Sequence, residues 1–192
     1  MRFSEISRNF VRPIARLLAR IGVHPTLITL LSAAINSLGI GWIIAGKPLV
    51  ALIWFILFAP LDALDGEVAR LTGRTSRFGA FLDSTLDRVV DGLIFSSFAY
   101  SFRGDALLLS LSLLALVSAY LISYSRARVE GLGGELKEGL MSRYPRFIGI
   151  LLLLLVWRAW GRTPLLWGFI VYDALLLFTV FERVYLAYRR LS

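Results

Sequence analysis

Apolar positions fall into long runs separated by short polar breaks. With about 20 residues needed to cross a bilayer as helix, the runs predict six spans, at about 26–45, 49–71, 78–101, 106–125, 146–160 and 165–187. The breaks carry turn chemistry: Gly46-Lys47-Pro48, the polar Thr72–Arg77 stretch with Gly73, Arg103-Gly104-Asp105, the glycine-rich 131–142 and Gly161-Arg162-Thr163-Pro164. The fourth run has room to continue as helix through Arg126, Arg128 and Glu130. The fifth is short and has room to begin a few residues earlier.

Before the first span, residues 2–21 follow another pattern. Arg8, Arg12, Arg16 and Arg20 recur every four residues, after Arg2, and trace one helical stripe. Phe10, Ile14, Leu17, Leu18 and Ile21 lie largely off it, as in a basic amphipathic helix resting in the membrane interface. Gly22-Val23-His24-Pro25 ends this helix, with His24 a loop residue and Pro25 a helix start. The expected fold class is all-α: one domain over 1–192, an integral membrane six-transmembrane-helix bundle with an N-terminal interfacial amphipathic helix.

Composition agrees. Hydrophobic residues make up 57% of the chain, which describes a membrane protein and not a soluble core. Cysteine is absent, which excludes disulfide frameworks and thiolate chemistry. No long apolar core marks a cleavable signal in residues 1–21. A net charge of +8 in such a chain points to anionic lipid and the cytoplasmic face, with no nucleic acid expected as partner. Six spans put both termini on one side. That side collects the N-terminal arginines, Arg70, Arg74, Arg77, the 126–146 basic segment, Arg189 and Arg190. The other keeps Lys47, Arg103, Arg158 and Arg162. The positive-inside rule makes the first side cytoplasmic in a prokaryotic-type cell membrane.

One stretch does not fit a purely structural span. Residues 62–87 place Asp62, Asp65, Asp83 and Asp87 within or beside apolar runs, where a charge costs about 2.5–3.5 kcal/mol at mid-helix. Asp62 and Asp65 are three apart and Asp83 and Asp87 four apart, so each pair shares a helix face. Two helices meeting across the 72–77 turn would gather four carboxylates, which repel unless a cation holds them. Hard divalent ions such as Mg²⁺ or Mn²⁺, one or two of them, suit oxygen donors. Gly66 and Gly79 leave room for a ligand, and Arg70, Arg74 and Arg77 suit phosphate. Together these suggest phosphoryl transfer on a nucleotide diphosphate. Asp91 continues the row from Asp87 and is expected to pair with an arginine. Asp173, inside the last span, is expected to face the bundle interior.

The order Asp62-x2-Asp65-Gly66-x2-Ala69-Arg70-x8-Gly79-x3-Asp83-x3-Asp87 resembles the signature of the CDP-alcohol phosphotransferases. Pro25-Thr26-x2-Thr29-x2-Ser32 resembles the family's opening motif, with Thr26 in place of its usual Asn. The resemblance implies a metal-dependent enzyme of phospholipid biosynthesis. A CDP-alcohol, usually a lipid, gives its phospho-alkyl group to an acceptor hydroxyl and releases CMP. It also implies site roles: Asp62, Asp65, Asp83 and Asp87 as metal ligands, Asp87 as catalytic base, and Asp62, Gly66, Ala69, Arg70, Gly79 and Thr29 around the nucleotide. For Thr29 and Ser32 the ordinary alternative, bonding their own backbone or packing, is preferred.

The acceptor is read from basic residues. Arg126-Ala127-Arg128-Val129-Glu130-Gly131-Leu132-Gly133 and Arg143-x2-Arg146 look like the phosphatidyl- and archaetidylinositol-phosphate synthase branch, although Ser142 and Tyr144-Pro145 depart from it. The expected acceptor is therefore a phosphorylated polyol such as inositol phosphate, held by Arg126, Lys137, Arg143 and Arg146. Glycerol phosphate and a soluble di-inositol-phosphate route are the alternatives. Outside enzymes, the rival is a cation-coupled membrane transporter. A homodimer is expected by analogy with the family.

Overall fold

In the computed structural model, the structure describes residues 3–191, with side chains from residue 11 onward. Among these, eight α-helices and one 3-10 turn follow one another, with no strand: α1 (Phe3–Arg20), α2 (Pro25–Ile44), α3 (Pro48–Phe58), the turn Ala59–Leu61, α4 (Asp62–Thr72), α5 (Arg77–Ser101), α6 (Ala106–Gly131), α7 (Arg143–Trp160) and α8 (Arg162–Leu191). Arg2, and the side chains of Arg8 in the basic stripe and of Phe10 on the apolar face, lie outside the described residues.

Four stretches are long and apolar enough to cross a membrane: Pro25–Ile44, Pro48–Thr72, Ala106–Gly131 and Arg162–Leu191. The chain is a multi-pass, all-α membrane protein. Helices α5 and α7 are long too, but they carry the charges: Asp83, Asp87, Arg88 and Asp91 on α5, Arg143, Arg146 and Arg158 on α7.

The expected helix at 49–71 is not continuous. Pro60 has no N–H to donate and its ring crowds the preceding turn, so α3 ends at Phe58. Asp62 and Asp65 then fall in the first turn of a fresh helix. There the positive end of the macrodipole favours carboxylates. Gly73, at φ 66°, closes α4 in the left-handed conformation, with the Arg74 N–H donating to the Ala69 carbonyl at 2.9 Å. Ser76 caps α5 by accepting from the Gly79 N–H at 2.9 Å. This tight reversal turns the chain back so that α2 packs against both α4 and α5, and the charged positions of α5 come to the start of α4. His24 caps α2, its Nδ1 accepting from the Thr26 N–H at 3.3 Å.

The main core lies between α3, α5, α6, α7 and α8 around Phe55, Phe95, Phe98, Leu108, Ile122, Leu154 and Phe169. Phe98 meets Phe169 edge-on, with centroids 5.3 Å apart. A smaller core joins α1 to α2 and α4 through Val11, Ala15, Ile28, Leu64 and Val68. Much of the outer surface is apolar: Leu38, Leu57, Val117, Val171 and Phe181 are exposed, as lipid requires and water does not tolerate.

The glycine-rich segment 132–142 is a loop strapped to α8. Arg183 donates to the carbonyls of Glu138 (3.0 Å) and Ile122. Thr179 accepts from the Met141 N–H at 3.1 Å and Glu182 from the Leu140 N–H at 3.3 Å. Gly139 lies against the Arg183 guanidinium at φ 129°, a conformation that favours glycine. Arg190 grips the Glu138 carboxylate at 2.6 and 2.9 Å and holds its pKa down at about 2, from an ordinary 4.5.

Two outcomes follow. Gly39 sits where an added Cβ would lie 2.8 Å from both Trp54 and Phe55. Gly39→Leu is expected to cost about 1–3 kcal/mol by overpacking, read as a lower melting temperature in detergent. Because the Glu138 pKa is depressed in the fold, its clasp on Arg190 is intact above pH 4.5 and is lost as pH falls toward about 2. Acid proteolysis within 132–142 is expected to rise over that window, and Glu138→Gln should abolish its pH dependence.

Candidate active site

Asp83 and Asp87, four apart on α5, share a face that meets the start of α4. One oxygen each from Asp62, Asp83 and Asp87 lies within 4.8 Å of the others. Two carboxylates about 4 Å apart repel by about 4 kcal/mol at an effective dielectric of 20, so the trio needs positive charge. Protein cations supply part of it. Arg143, the first residue of α7, places one guanidinium nitrogen between Asp62 Oδ2 and Asp87 Oδ1 and donates to both. Arg88 stands 3.5 Å from the other Asp87 oxygen. Three convergent hard oxygens also suit a divalent ion: ligands of an octahedral Mg²⁺ shell lie at most about 4.2 Å apart, so a trio within 4.8 Å needs only a small inward shift to share one.

Asp65 departs from the expectation of one four-acid cluster. It turns toward α2, where the Thr29 hydroxyl donates to Asp65 Oδ2 at 2.6 Å. The same hydroxyl lies 3.2 Å from the Pro25 carbonyl, so the preferred backbone reading of Thr29 captures only part of its role.

Two clefts flank the acids, with Asp83 and Thr29 lining both. The first holds Asp62, Asp87, Asp91, Arg143 and Tyr144 at its polar end and runs inward past Ser32 and Asn36 to Phe55, Ile94 and Phe147. The second gathers Asp65, Gly66, Ala69, Arg70, Gly79 and, beside them, Thr26, Arg74, Thr75 and Ser76. Every nucleotide-side candidate named from the sequence except Asp62 thus lines this second cleft.

The basic candidates do not gather as expected. Arg126 pairs with Glu130 at 2.8 Å and Lys137 with Glu135 at 2.9 Å, both exposed and outside the two clefts. Arg143 and Arg146, both expected to hold the phosphorylated polyol, part company. Arg146 is buried, 4% exposed, bonds Asp91 at 3.1 Å and reaches the Met141 carbonyl at 3.5 Å. A buried charge must be paired, and Asp91 is the partner its helix packing offers. The expectation that Asp91 serves an arginine is met, and Asp173 does face the interior, 2% exposed.

Some residues of the site were not singled out from the sequence. Glu67 is 6% exposed and accepts from Arg70 at 2.7 and 3.2 Å and from Arg12 at 3.3 Å, fixing Arg70 at the second cleft and α1 onto α4. Its spacing of three from Arg70 was the available signal. Asn36 continues the polar row of Thr29 and Ser32 on α2, a helical spacing that also pointed inward.

Residues 22–181 match the CDP-alcohol phosphatidyltransferase family. The chain belongs to that family. It is therefore an enzyme, and the transporter reading falls. An archaetidylinositol phosphate synthase of Methanothermobacter thermautotrophicus is 39% identical over 196 residues, 99% of this chain and 94% of that protein. A phosphatidylinositol phosphate synthase of Corynebacterium glutamicum is 38% identical over 146 residues, 72% of this chain but only 65% of that protein. The crystal structure of Mycobacterium tuberculosis phosphatidylinositol phosphate synthase with CDP-DAG bound superposes with a TM-score of 0.88 at 29% identity, covering 95% of each chain. A second structure of that protein, in complex with manganese and citrate, gives 0.87 at 29% identity, covering 94% of this chain and 90% of that one.

Among the family's charged residues here, Arg146 makes the sharpest structural test. Arg146→Ala leaves Asp91 without its partner and is expected to cost about 3–5 kcal/mol. Arg146→Met with Asp91→Asn should recover much of the lost melting temperature. Equal stability of Arg146→Ala and the parent chain would show that the pair is not structural.

Proposed function

We propose that this enzyme transfers the phospho-alkyl group of a CDP-linked lipid to a hydroxyl of inositol phosphate and releases CMP. The observation that carries the reading is the Asp62–Asp83–Asp87 trio, bridged by Arg143, beside the cleft lined by Gly66, Ala69, Arg70 and Gly79. The relatives are named for making phosphatidylinositol phosphate and archaetidylinositol phosphate, and a product of that kind favours inositol phosphate as acceptor over glycerol phosphate or a soluble di-inositol route.

In this reading Arg70, steadied by Glu67, receives the nucleotide's phosphate, and Gly66, Gly79 and Ala69 let the nucleotide approach backbone closely. Asp65, held by Thr29, belongs to the same cleft. The acceptor oxygen forms a bond to the lipid-bearing phosphorus as the bond from that phosphorus to the bridging oxygen breaks. CMP leaves with the electron pair. Asp87 takes the hydroxyl proton, and Arg143 faces the incoming phosphate. Asp62, Asp65, Asp83 and Asp87 would hold Mg²⁺ or Mn²⁺, one or two ions, with Asp65 the outlying ligand; the ion supplies charge stabilisation at the pyrophosphate. Arg126 and Lys137 serve as outer attraction for the anionic acceptor, and Arg146 as the holder of Asp91.

The membrane placement extends the reading. Helices α5 and α7 complete six spans by keeping their charges inward, and α1 lies in the interface. There Val11 and Ala15 pack on α4 while Ile14, Leu17 and Ile21 stay exposed to lipid. Arginine asymmetry puts the clefts on the cytoplasmic side. The chain acts as one domain over 1–192, as a homodimer.

Purified protein given CDP-lipid and inositol phosphate is expected to release CMP, with glycerol phosphate, free inositol and serine poorer acceptors. Chelation by EDTA should abolish turnover and Mg²⁺ or Mn²⁺ restore it. Asp87→Asn should lower turnover by about 10²–10⁴ while CDP-lipid binding persists. Equal loss of binding would make Asp87 mainly a ligand. For topology, single cysteines near Lys47 and Arg74 should label from opposite sides; labelling from one side would defeat the six-span arrangement.

A further inference from the structure

The cation already among the carboxylates is an arginine. One Arg143 nitrogen donates to Asp62 Oδ2 and to Asp87 Oδ1, bridging two of the three residues that could hold an ion. A guanidinium nitrogen and a divalent ion seek the same carboxylate lone pairs, and the space between two carboxylates admits one of them. Charge balance points the same way. A dication together with Arg88, which stands 3.5 Å from Asp87, neutralises three carboxylates. Arg143 is then not needed to neutralise the trio, and the fourth carboxylate, Asp65, is already held apart by the Thr29 hydroxyl.

Arg143 is also built to leave. It is the first residue of α7, directly after the loop 132–142, and its side chain is 43% exposed. Arg146, one turn on, has its side chain buried and committed to Asp91. The exposed arginine opens into the first cleft, which Tyr144 also lines.

We infer that Arg143 is a resident counter-cation of the carboxylate cluster, that a divalent ion displaces it, and that the displacement releases its guanidinium to a substrate phosphate. This rests on the metal-dependent transfer proposed above. It adds an order of events: the ion and the phosphate-binding form of Arg143 arrive together, so metal binding primes the acceptor side.

The test uses the full chain in detergent without substrates. Mn²⁺ titration followed by electron paramagnetic resonance is expected to show Arg143→Gln binding the ion at least about tenfold tighter than the parent chain. Asp83→Asn should weaken binding in both backgrounds, placing the ion in the cluster. Arg88→Gln separates charge from competition: it removes a nearby positive charge that does not bridge, so its gain should be clearly smaller. Equal or weaker binding by Arg143→Gln, or equal gains from the two variants, overturns the inference while leaving the metal reading intact. Failure of any chain to bind Mn²⁺ defeats both. A second readout needs no variant. Phenylglyoxal modification of Arg143, measured by mass spectrometry of its peptide, should rise several-fold when Mn²⁺ is added. Unchanged or reduced modification overturns the displacement.

Discussion

Ionised carboxylates cannot be brought together in an apolar bundle unless positive charge comes with them. That constraint organises this protein. It sets the first turn of α4 at Asp62 and Asp65, where the helix dipole helps. It draws Arg143 from the start of α7 across to α4 and α5. It also separates two kinds of arginine on one helix. Arg146 neutralises Asp91 inside the bundle, and Arg143 neutralises the trio at an open cleft.

The helices that carry these charges are the ones least able to enter lipid alone. Their polar rows are covered by α2, whose Thr29, Ser32 and Asn36 face inward, and by α8 through Tyr172, which bonds the Arg146 carbonyl at 3.2 Å. The strongly apolar stretches therefore wrap the polar ones, and the lipid-facing surface stays hydrocarbon-like. Function and insertion pull against each other within α5 and α7, and packing reconciles them.

Much of this was legible in the sequence because spacing carries geometry. Aspartates three and four apart must share a face, apolar runs of about twenty residues must be helices of spanning length, and glycine clusters must be turns. Element ends were off by only a few residues for that reason. The rest depends on which helices meet. Nothing in the spacing of Arg143 and Arg146 says that α5 presents Asp87 to one and Asp91 to the other. Nothing in Asp62-x2-Asp65 says that α2 offers a hydroxyl to Asp65 alone. The break at Pro60 was readable from the residue itself, but the hydropathy of the surrounding run hides it.

The strap between 132–142 and α8 has a bearing on how the chain can vary. Arg183 ties the Glu138 backbone carbonyl of that loop to the Ile122 carbonyl of α6, and Thr179 and Glu182 hold the loop by backbone amides. Within the loop, Glu138, clasped by Arg190, and the buried Leu136 and Met141 help to place it, and its other side chains are spectators to that placement. Substitutions at those spectator positions can alter what this rim meets without moving the α7 start that delivers Arg143. Gly139, whose backbone conformation is special, and the residues of α8 lack that freedom. The protein has in effect divided the rim into a writable surface and a fixed frame, so related chains could diverge in the polyol they accept while the phosphoryl chemistry stays where it is.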